Sequence, residues 1–196
     1  MDINIILAGV GGQGILSISA VIGVAAMEHG LDVKQSEVHG MSQRGGAVVS
    51  HLRISDQPIF SSLISMGEAD MILSVEPMEL LRYKPYLKKE GFLISNTKTV
   101  VNIPNYPEEQ ELFAAIEKYS NRVLLDAETL AKKAGNVRAA NMVMLGAAAD
   151  HLAIEPSYLE EAIKHIFERK GERIVQLNLD AFNAGREAAN QYLATV

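Results

Sequence analysis

A glycine-rich turn near the N-terminus constrains the fold of this chain more than any other feature. Gly9-Val10-Gly11-Gly12-Gln13-Gly14 has the spacing G-x-G-x-x-G. It follows a short apolar run, Ile3 to Ala8, which reads as a buried strand. It precedes Ile15 to Glu28, where Ile15, Ile18, Ile22 and Ala25/Ala26 recur at helical spacing. His29-Gly30 reads as the end of that helix, a place that favours a cation. Leu31 to Glu37 reads as a second strand. Strand, turn, helix and strand in this order make a βαβ unit, expected to cross over right-handed. The glycines let the backbone turn tightly and let a ligand approach the amides. The helix N-terminus offers unpaired N–H groups and partial positive charge to an anion. The same glycines would also serve close packing of helix on strand, and the sequence leaves both readings open.

The pattern continues beyond this unit. Ala47 to Ile54 alternates, with Val48, Ser50, Leu52 and Ile54 on one face, and reads as a strand. Gln57-Pro58 suggests a turn into a short hairpin partner near Ile59-Phe60. Met71–Val75, Gly91–Ser95 and Arg122–Leu125 read as strands, with helices over Pro77–Tyr86 and Glu108–Tyr119 between them. Asp126 is placed to cap a following helix, and from there on only helices are predicted. Ala139 to Leu152 is nearly all apolar or small, which predicts burial on most sides or packing at an interface. Ser157 and Glu160 have capping-box spacing. Ile174 to Leu193 reads as a last amphipathic helix. The expected fold class is α/β, a Rossmann-like three-layer arrangement in one domain over residues 1–196. Its sheet is mostly parallel, with an antiparallel excursion near 47–60 and a C-terminal helical layer.

Composition narrows the function classes. A formal net charge of −6 argues against a nucleic-acid partner, because phosphate binding wants a basic face. There are no cysteines, so this chain offers no disulfide, no thiolate-held zinc and no cysteine ligand for an iron–sulfur cluster. The N-terminus enters a strand at once, so no signal peptide is read, and no apolar run approaches the ~20 residues that span a bilayer. A soluble cytoplasmic protein is expected. No G-x-S-x-G elbow, H-E-x-x-H pair or Walker lysine is present. Of the five histidines, His51 is expected to be solvated beside Arg53, and His151 and His165 to be surface or packing residues. His39 alone lies in a loop of interest.

That loop is Val38-His39-Gly40-Met41-Ser42-Gln43-Arg44-Gly45-Gly46. Glu37 stands near the end of the second strand, where a dinucleotide fold places the acidic residue that holds a ribose. Arg44 before Gly45 and Gly46 can present a guanidinium beside exposed amides, suited to phosphate or carboxylate. It can equally pair with Glu37 or a helix end. Together these segments resemble the γ-type subunit of 2-oxoacid:ferredoxin oxidoreductases. The matching stretches are Gly9–Gly14, Ser36–Gly46, Val49–Ile54, Gly67–Asp70 and Glu76–Arg82, in order, with Asn141 and Leu145-Gly146 as the points of likeness in the C-terminal helices. The form of the loop is most similar to the branch that oxidises indolepyruvate.

The resemblance implies an enzyme subunit that is inactive alone. The family converts a 2-oxoacid and coenzyme A to an acyl-CoA and carbon dioxide, with electrons passed to ferredoxin. It implies that thiamine diphosphate and iron–sulfur clusters belong to a large partner subunit, that ferredoxin is met indirectly, and that this chain binds no cofactor by itself. Coenzyme A is then the candidate ligand of Gly9, Gly11, Gly12, Gln13, Gly14, Glu37, Arg44, Gly45 and Gly46, with no catalytic or metal-binding residue in this chain. A free-standing NAD(P)-dependent dehydrogenase and a purely structural subunit are the alternatives. Expressed alone, the chain is expected to self-associate, because Ala139–Ala149 and the large-subunit face should leave apolar area exposed.

Overall fold

The computed structural model describes residues 1–40 and 45–195. A sheet of six strands runs in the order β2-β3-β1-β4-β5-β6. The strands are β1 (Asp2–Val10), β2 (Asp32–His39), β3 (Ala47–Ser55), β4 (Ala69–Ser74), β5 (Leu87–Asn96) and β6 (Arg122–Leu125). β1, β4, β5 and β6 pair in parallel. β3 is antiparallel to both β1 and β2 and lies between them. The first βαβ unit is therefore split: β2 runs parallel to β1 but one strand away. The antiparallel excursion expected near 47–60 is β3 alone. Ile59-Phe60 is not a strand, and the hairpin partner of β3 is β2, because the short loop beyond His39 returns the chain directly beside it.

Both faces of the sheet are covered, which is why β1 reads as a continuous apolar run rather than an alternating one. On one face Ile5, Leu7, Leu52 and Ile54 pack against α1 (Ile15–Glu28), α5 (Ala140–Ala148), α6 (Pro156–Phe167) and α7 (Glu172–Leu193). On the other, Ile6, Val49, Ile72 and Leu93 pack against α2 (Pro77–Tyr83) and α3 (Glu109–Ile116). α4 (Ala127–Lys133) begins at Asp126, whose carboxylate accepts from Thr129 N–H at 2.9 Å, as the sequence predicted. α6 begins two residues earlier than the capping-box spacing implied. Glu155 is its N-cap and Pro156 its first residue, so Ser157 lies inside the helix and makes no side-chain cap.

The apolar α5 segment is consumed inside the chain. Met142 to Ala148 are all buried, chiefly against α7. The expectation that Ala139–Ala149 leaves apolar area for self-association is therefore corrected: this segment offers no exposed face. His51 is likewise buried rather than solvated. Its Nδ1 accepts the N–H of Ile64 at 3.1 Å, and burial holds its pKa below the ordinary value. No described helix is long and apolar enough to cross a membrane.

Ala153, in the connection from α5 to α6, adopts φ +54°, the left-handed region, alone among described non-glycine residues. The Cβ of an L-residue crowds its own carbonyl there. Ala153→Gly is expected to raise stability by about 0.5–1 kcal/mol, after allowing for glycine's larger unfolded-state entropy, or roughly 1–4 °C in Tm. Thermal melts check it, and an unchanged or lower Tm would mean that the turn carries no strain.

Candidate functional site

All five parallel strands end at one edge of the sheet, and the glycine turn lies on that edge. The chain reverses sides between β1 and β4: α1 covers one face and α2 the other. This is the crevice where open α/β sheets bind ligands. Gly12 (φ +100°) and Gly14 (φ +82°) are left-handed, which explains why glycine is needed at both. Gly14 is the N-cap of α1. It supplies no side-chain cap, and the first turn of α1 carries no acidic residue. Among the described residues, the N–H groups of Gly12, Gly14, Ile15 and Leu16 have no intramolecular partner. The helix start therefore presents backbone donors that no described group of the chain occupies, the kind of geometry that suits an anion.

The glycines divide into two kinds. A Cβ on Gly9 would stand 2.3 Å from Val75 Cγ2 and 2.9 Å from Ile15 Cδ1, and one on Gly14 would stand 2.6 Å from Asn141 Nδ2. These two serve close packing. A Cβ on Gly12 would meet nothing within 4 Å. Gly12 faces open space among the described residues and is a member of the motif that a ligand can approach.

Other groups of the motif are spent on the protein itself. Gly11 N–H donates to Gly46 O at 2.8 Å and Gly45 N–H to Gly11 O at 3.3 Å, so the 45–46 segment closes onto the turn. Gln13 is a staple: its Oε1 accepts Val10 N–H at 2.7 Å and its Nε2 donates to Val75 O at 3.3 Å. The anion-binding donors expected from Gly11–Gly14 therefore reduce to Gly12, Gly14 and the first turn of α1. Arg44 lies outside the described residues.

Gly12 separates two clefts. The first, of about 380 Å³, is lined by Val10, Gly12, Leu16, Glu37, His39 and Val48. Glu37 thus reaches the turn, but across the inserted β3, one strand spacing of ~4.8 Å farther than in a fold whose second strand adjoins the first. The second, of about 180 Å³, is lined by Gly12, Gln13, Asn96, Glu128, Arg138 and Asn141. Asn96, buried at the end of β5, donates to Val75 O at 3.3 Å and to the Glu128 carboxylate, and accepts Ala127 N–H at 3.1 Å. Asn141 Nδ2 donates to Gly14 O at 3.4 Å.

Asn96, Glu128 and Arg138 were not singled out from the sequence. A usable signal existed for Asn96: it is the polar residue that ends a parallel strand at the ligand-binding edge. Glu128 and Arg138 give no local signal, because only the fold brings them to the same cleft.

Two carboxylates, Glu76 and Glu79, are fully buried on the α2 side. Glu76 caps α2 by accepting Glu79 N–H at 2.9 Å. It also accepts from Val100 N–H and from the Tyr106 hydroxyl. Burial first, and then this hydrogen bond, push the Tyr106 hydroxyl pKa upward. Burial also raises the Glu79 carboxyl, opposed by the Arg82 guanidinium at 2.9 Å. Through Glu76, the 97–107 loop is held to the ligand-binding edge, and Asn102 Nδ2 of that loop donates to Gly45 O at 2.8 Å.

Residues 4–188 match the pyruvate ferredoxin/flavodoxin oxidoreductase family. The chain belongs to this family. It is 37% identical to the indolepyruvate oxidoreductase subunit IorB of Pyrococcus horikoshii, over 98% of both chains. Among solved structures, it is similar to a keto/oxoacid ferredoxin oxidoreductase γ subunit from Geobacter sulfurreducens. That match has a TM-score of 0.71 and 28% identity, covering 96% of this chain and 99% of that one. The same fold recurs in a 2-oxoglutarate:ferredoxin oxidoreductase from Magnetococcus marinus that has 2-oxoglutarate, coenzyme A and succinyl-CoA bound. There the TM-score is 0.77 and the identity 23%, over 97% of this chain but only 31% of that chain. The fold thus occurs both in a chain of similar length and as part of a chain about three times as long.

Proposed function

We propose that this chain is the small subunit of a 2-oxoacid:ferredoxin oxidoreductase that acts on indolepyruvate or a similar arylpyruvate. The observation that carries the reading is the 37% identity to an indolepyruvate oxidoreductase subunit along 98% of both chains. In the proposed reaction the 2-oxoacid loses carbon dioxide, its acyl carbon passes to the sulfur of coenzyme A, and two electrons pass to ferredoxin. Thiamine diphosphate and the iron–sulfur clusters sit on a large partner subunit. There they supply the carbanion stabilisation and the electron path. That division agrees with a chain that contains no cysteine. The working place is the cytoplasm, where ferredoxin is reached through the partner.

The part of this chain is to help hold coenzyme A. The uncapped start of α1, the open approach at Gly12 and the cation Arg138 suit its phosphates, with Arg44 as the second cation. The purely structural alternative is favoured by the commitment of Gly9, Gln13 and Gly14 to packing and to backbone hydrogen bonds.

The test is reconstitution. The chain alone is expected to be colourless and unable to oxidise 2-oxoacids. Co-expressed with its large subunit, it should support indolepyruvate- and coenzyme A-dependent reduction of ferredoxin. Turnover by the isolated chain, or a complete enzyme formed by the large subunit without it, would refute the reading.

A further inference from the structure

Glu76 does more than cap a helix. The start of α2 needs one acceptor, and serine, threonine, aspartate or asparagine is the usual supplier. Here the cap is a glutamate with no exposed surface, and burying a carboxylate is costly unless hydrogen bonds replace its water. Its Oε2 accepts Glu79 N–H at 2.9 Å, which is the cap. Its Oε1 serves another element, accepting Val100 N–H at 3.3 Å and the Tyr106 hydroxyl. The longer side chain lets one carboxylate hold a helix with one oxygen and a loop with the other.

That loop, residues 97–107, leaves β5 at the ligand-binding edge and forms no helix or strand. Among the described residues, no backbone–backbone hydrogen bond involves residues 98–107. The course of the loop therefore depends on side chains: the two ties to Glu76, and the Thr99 hydroxyl, which donates to Glu109 at 2.6 Å. The ties to Glu76 flank Asn102, with Val100 before it and Tyr106 after it. Pinching the loop at those points sets its tip, where Asn102 Nδ2 donates to Gly45 O at 2.8 Å. Gly45 N–H in turn donates to Gly11 O at 3.3 Å, and Gly11 N–H to Gly46 O at 2.8 Å. Gly12, the open member of the turn, is the next residue. A path of hydrogen bonds thus joins a buried carboxylate on the α2 side to the glycine turn.

We propose that Glu76, acting through Tyr106 and Asn102, is a positioning residue for the coenzyme A site: it fixes the 45–46 segment, and with it the Gly11–Gly12 turn, where the ligand's phosphate is met. The inference rests on the functional reading above. Glu76 and Tyr106 touch no ligand themselves. They act because a phosphate held by backbone amides tolerates little error, and a shift of about 1 Å at the turn misdirects them.

The test is Tyr106→Phe, which removes one hydroxyl and keeps the ring. In the isolated chain, amide exchange at Gly11 and Gly45 should quicken by roughly threefold or more, ahead of exchange in the core strands. In the assembled enzyme the KM for coenzyme A should rise by roughly 3- to 10-fold, while kcat and the KM for the 2-oxoacid stay within about twofold. Asn102→Ala, at the other end of the path, should raise the same KM, and the double variant should be no worse than Asn102→Ala alone. Unchanged exchange at Gly11 and Gly45 overturns the proposal, as do kcat and both KM values falling off together, or additive effects of the two substitutions. Should Tyr106→Phe fail to fold, Asn102→Ala decides: an unchanged KM for coenzyme A overturns the proposal. Gly12→Ala separates the two failures. If it impairs coenzyme A use and the loop variants do not, the positioning role alone falls; if it too leaves coenzyme A kinetics unchanged, the functional reading falls and this proposal with it.

Discussion

Gly185→Ala is expected to destabilise the chain by about 3 kcal/mol, lowering Tm by roughly 6–12 °C for a protein of this size. α5 and α7 cross in backbone contact, with a glycine from each at the crossing. A Cβ on Gly185 would lie 1.9 Å from Val143 O, and one on Gly146 would lie 1.9 Å from Phe182 O. Neither obstacle is a side chain that can rotate away; both are carbonyl oxygens inside helices. The helices must therefore separate, and the buried residues between them, Met142, Phe182 and Ala181 among them, lose contact together. Gly146→Ala should cost a similar amount. Because the two substitutions force the same separation, the double variant should cost clearly less than their sum. Thermal or urea unfolding measures all three. Additive losses would mean that the helices yield locally at each glycine, and a change below about 1 kcal/mol for either would mean that the helices are not in backbone contact at the crossing.

Most of the layer architecture was legible in the sequence, because its signals are local. Apolar runs bounded by turn residues gave the strands, and β6 agrees to the residue with Arg122–Leu125. Asp126 announced the start of α4. What failed depends on partners far along the chain. The alternation that marks β3 says nothing about which strand it joins, so the hairpin was sought ahead, at Ile59-Phe60, when the partner lies behind, in β2. His51 resembles a solvent-facing strand residue until the 57–67 loop folds over it. The run of alanines in α5 reads either as buried on most sides or as packed at an interface; the burial is borne out, but nothing local says that what covers it is α7, some forty residues on. In the glycine turn, sequence spacing identifies the motif but cannot separate its members. Only the neighbours Val75, Ile15 and Asn141 reveal that Gly9 and Gly14 are crowded while Gly12 is open. Of Asn141 and Leu145-Gly146, the points of family likeness read in the C-terminal helices, Asn141 meets the turn and Gly146 meets the α7 backbone.

That separation allows a decisive substitution at the site. Gly12→Ala is expected to fold, at a cost of about 1–2 kcal/mol for forcing a left-handed backbone on alanine. Its effect on coenzyme A should be larger. The new methyl group would project into the space between the two clefts and keep a phosphate from the amides at the start of α1. In the assembled enzyme, kcat/KM for coenzyme A should fall by roughly 10- to 150-fold, the equivalent of losing about 1.5–3 kcal/mol of charge-assisted hydrogen bonding. The KM for the 2-oxoacid should move much less, because the proposed assembly places that substrate mainly on the partner. Arg44→Ala should act in the same direction, since it removes a cation and leaves the glycines in place. Gly9→Ala is the contrasting control. Its methyl group would collide with buried Val75 rather than reach into open space, so it should cost stability first and affect coenzyme A only as far as the fold is damaged. If Gly12→Ala assembles normally and its coenzyme A kinetics match wild type, the open face of the turn receives no ligand. The motif would then be a device for seating α1 on β1, and the cation at Arg138 would need another explanation.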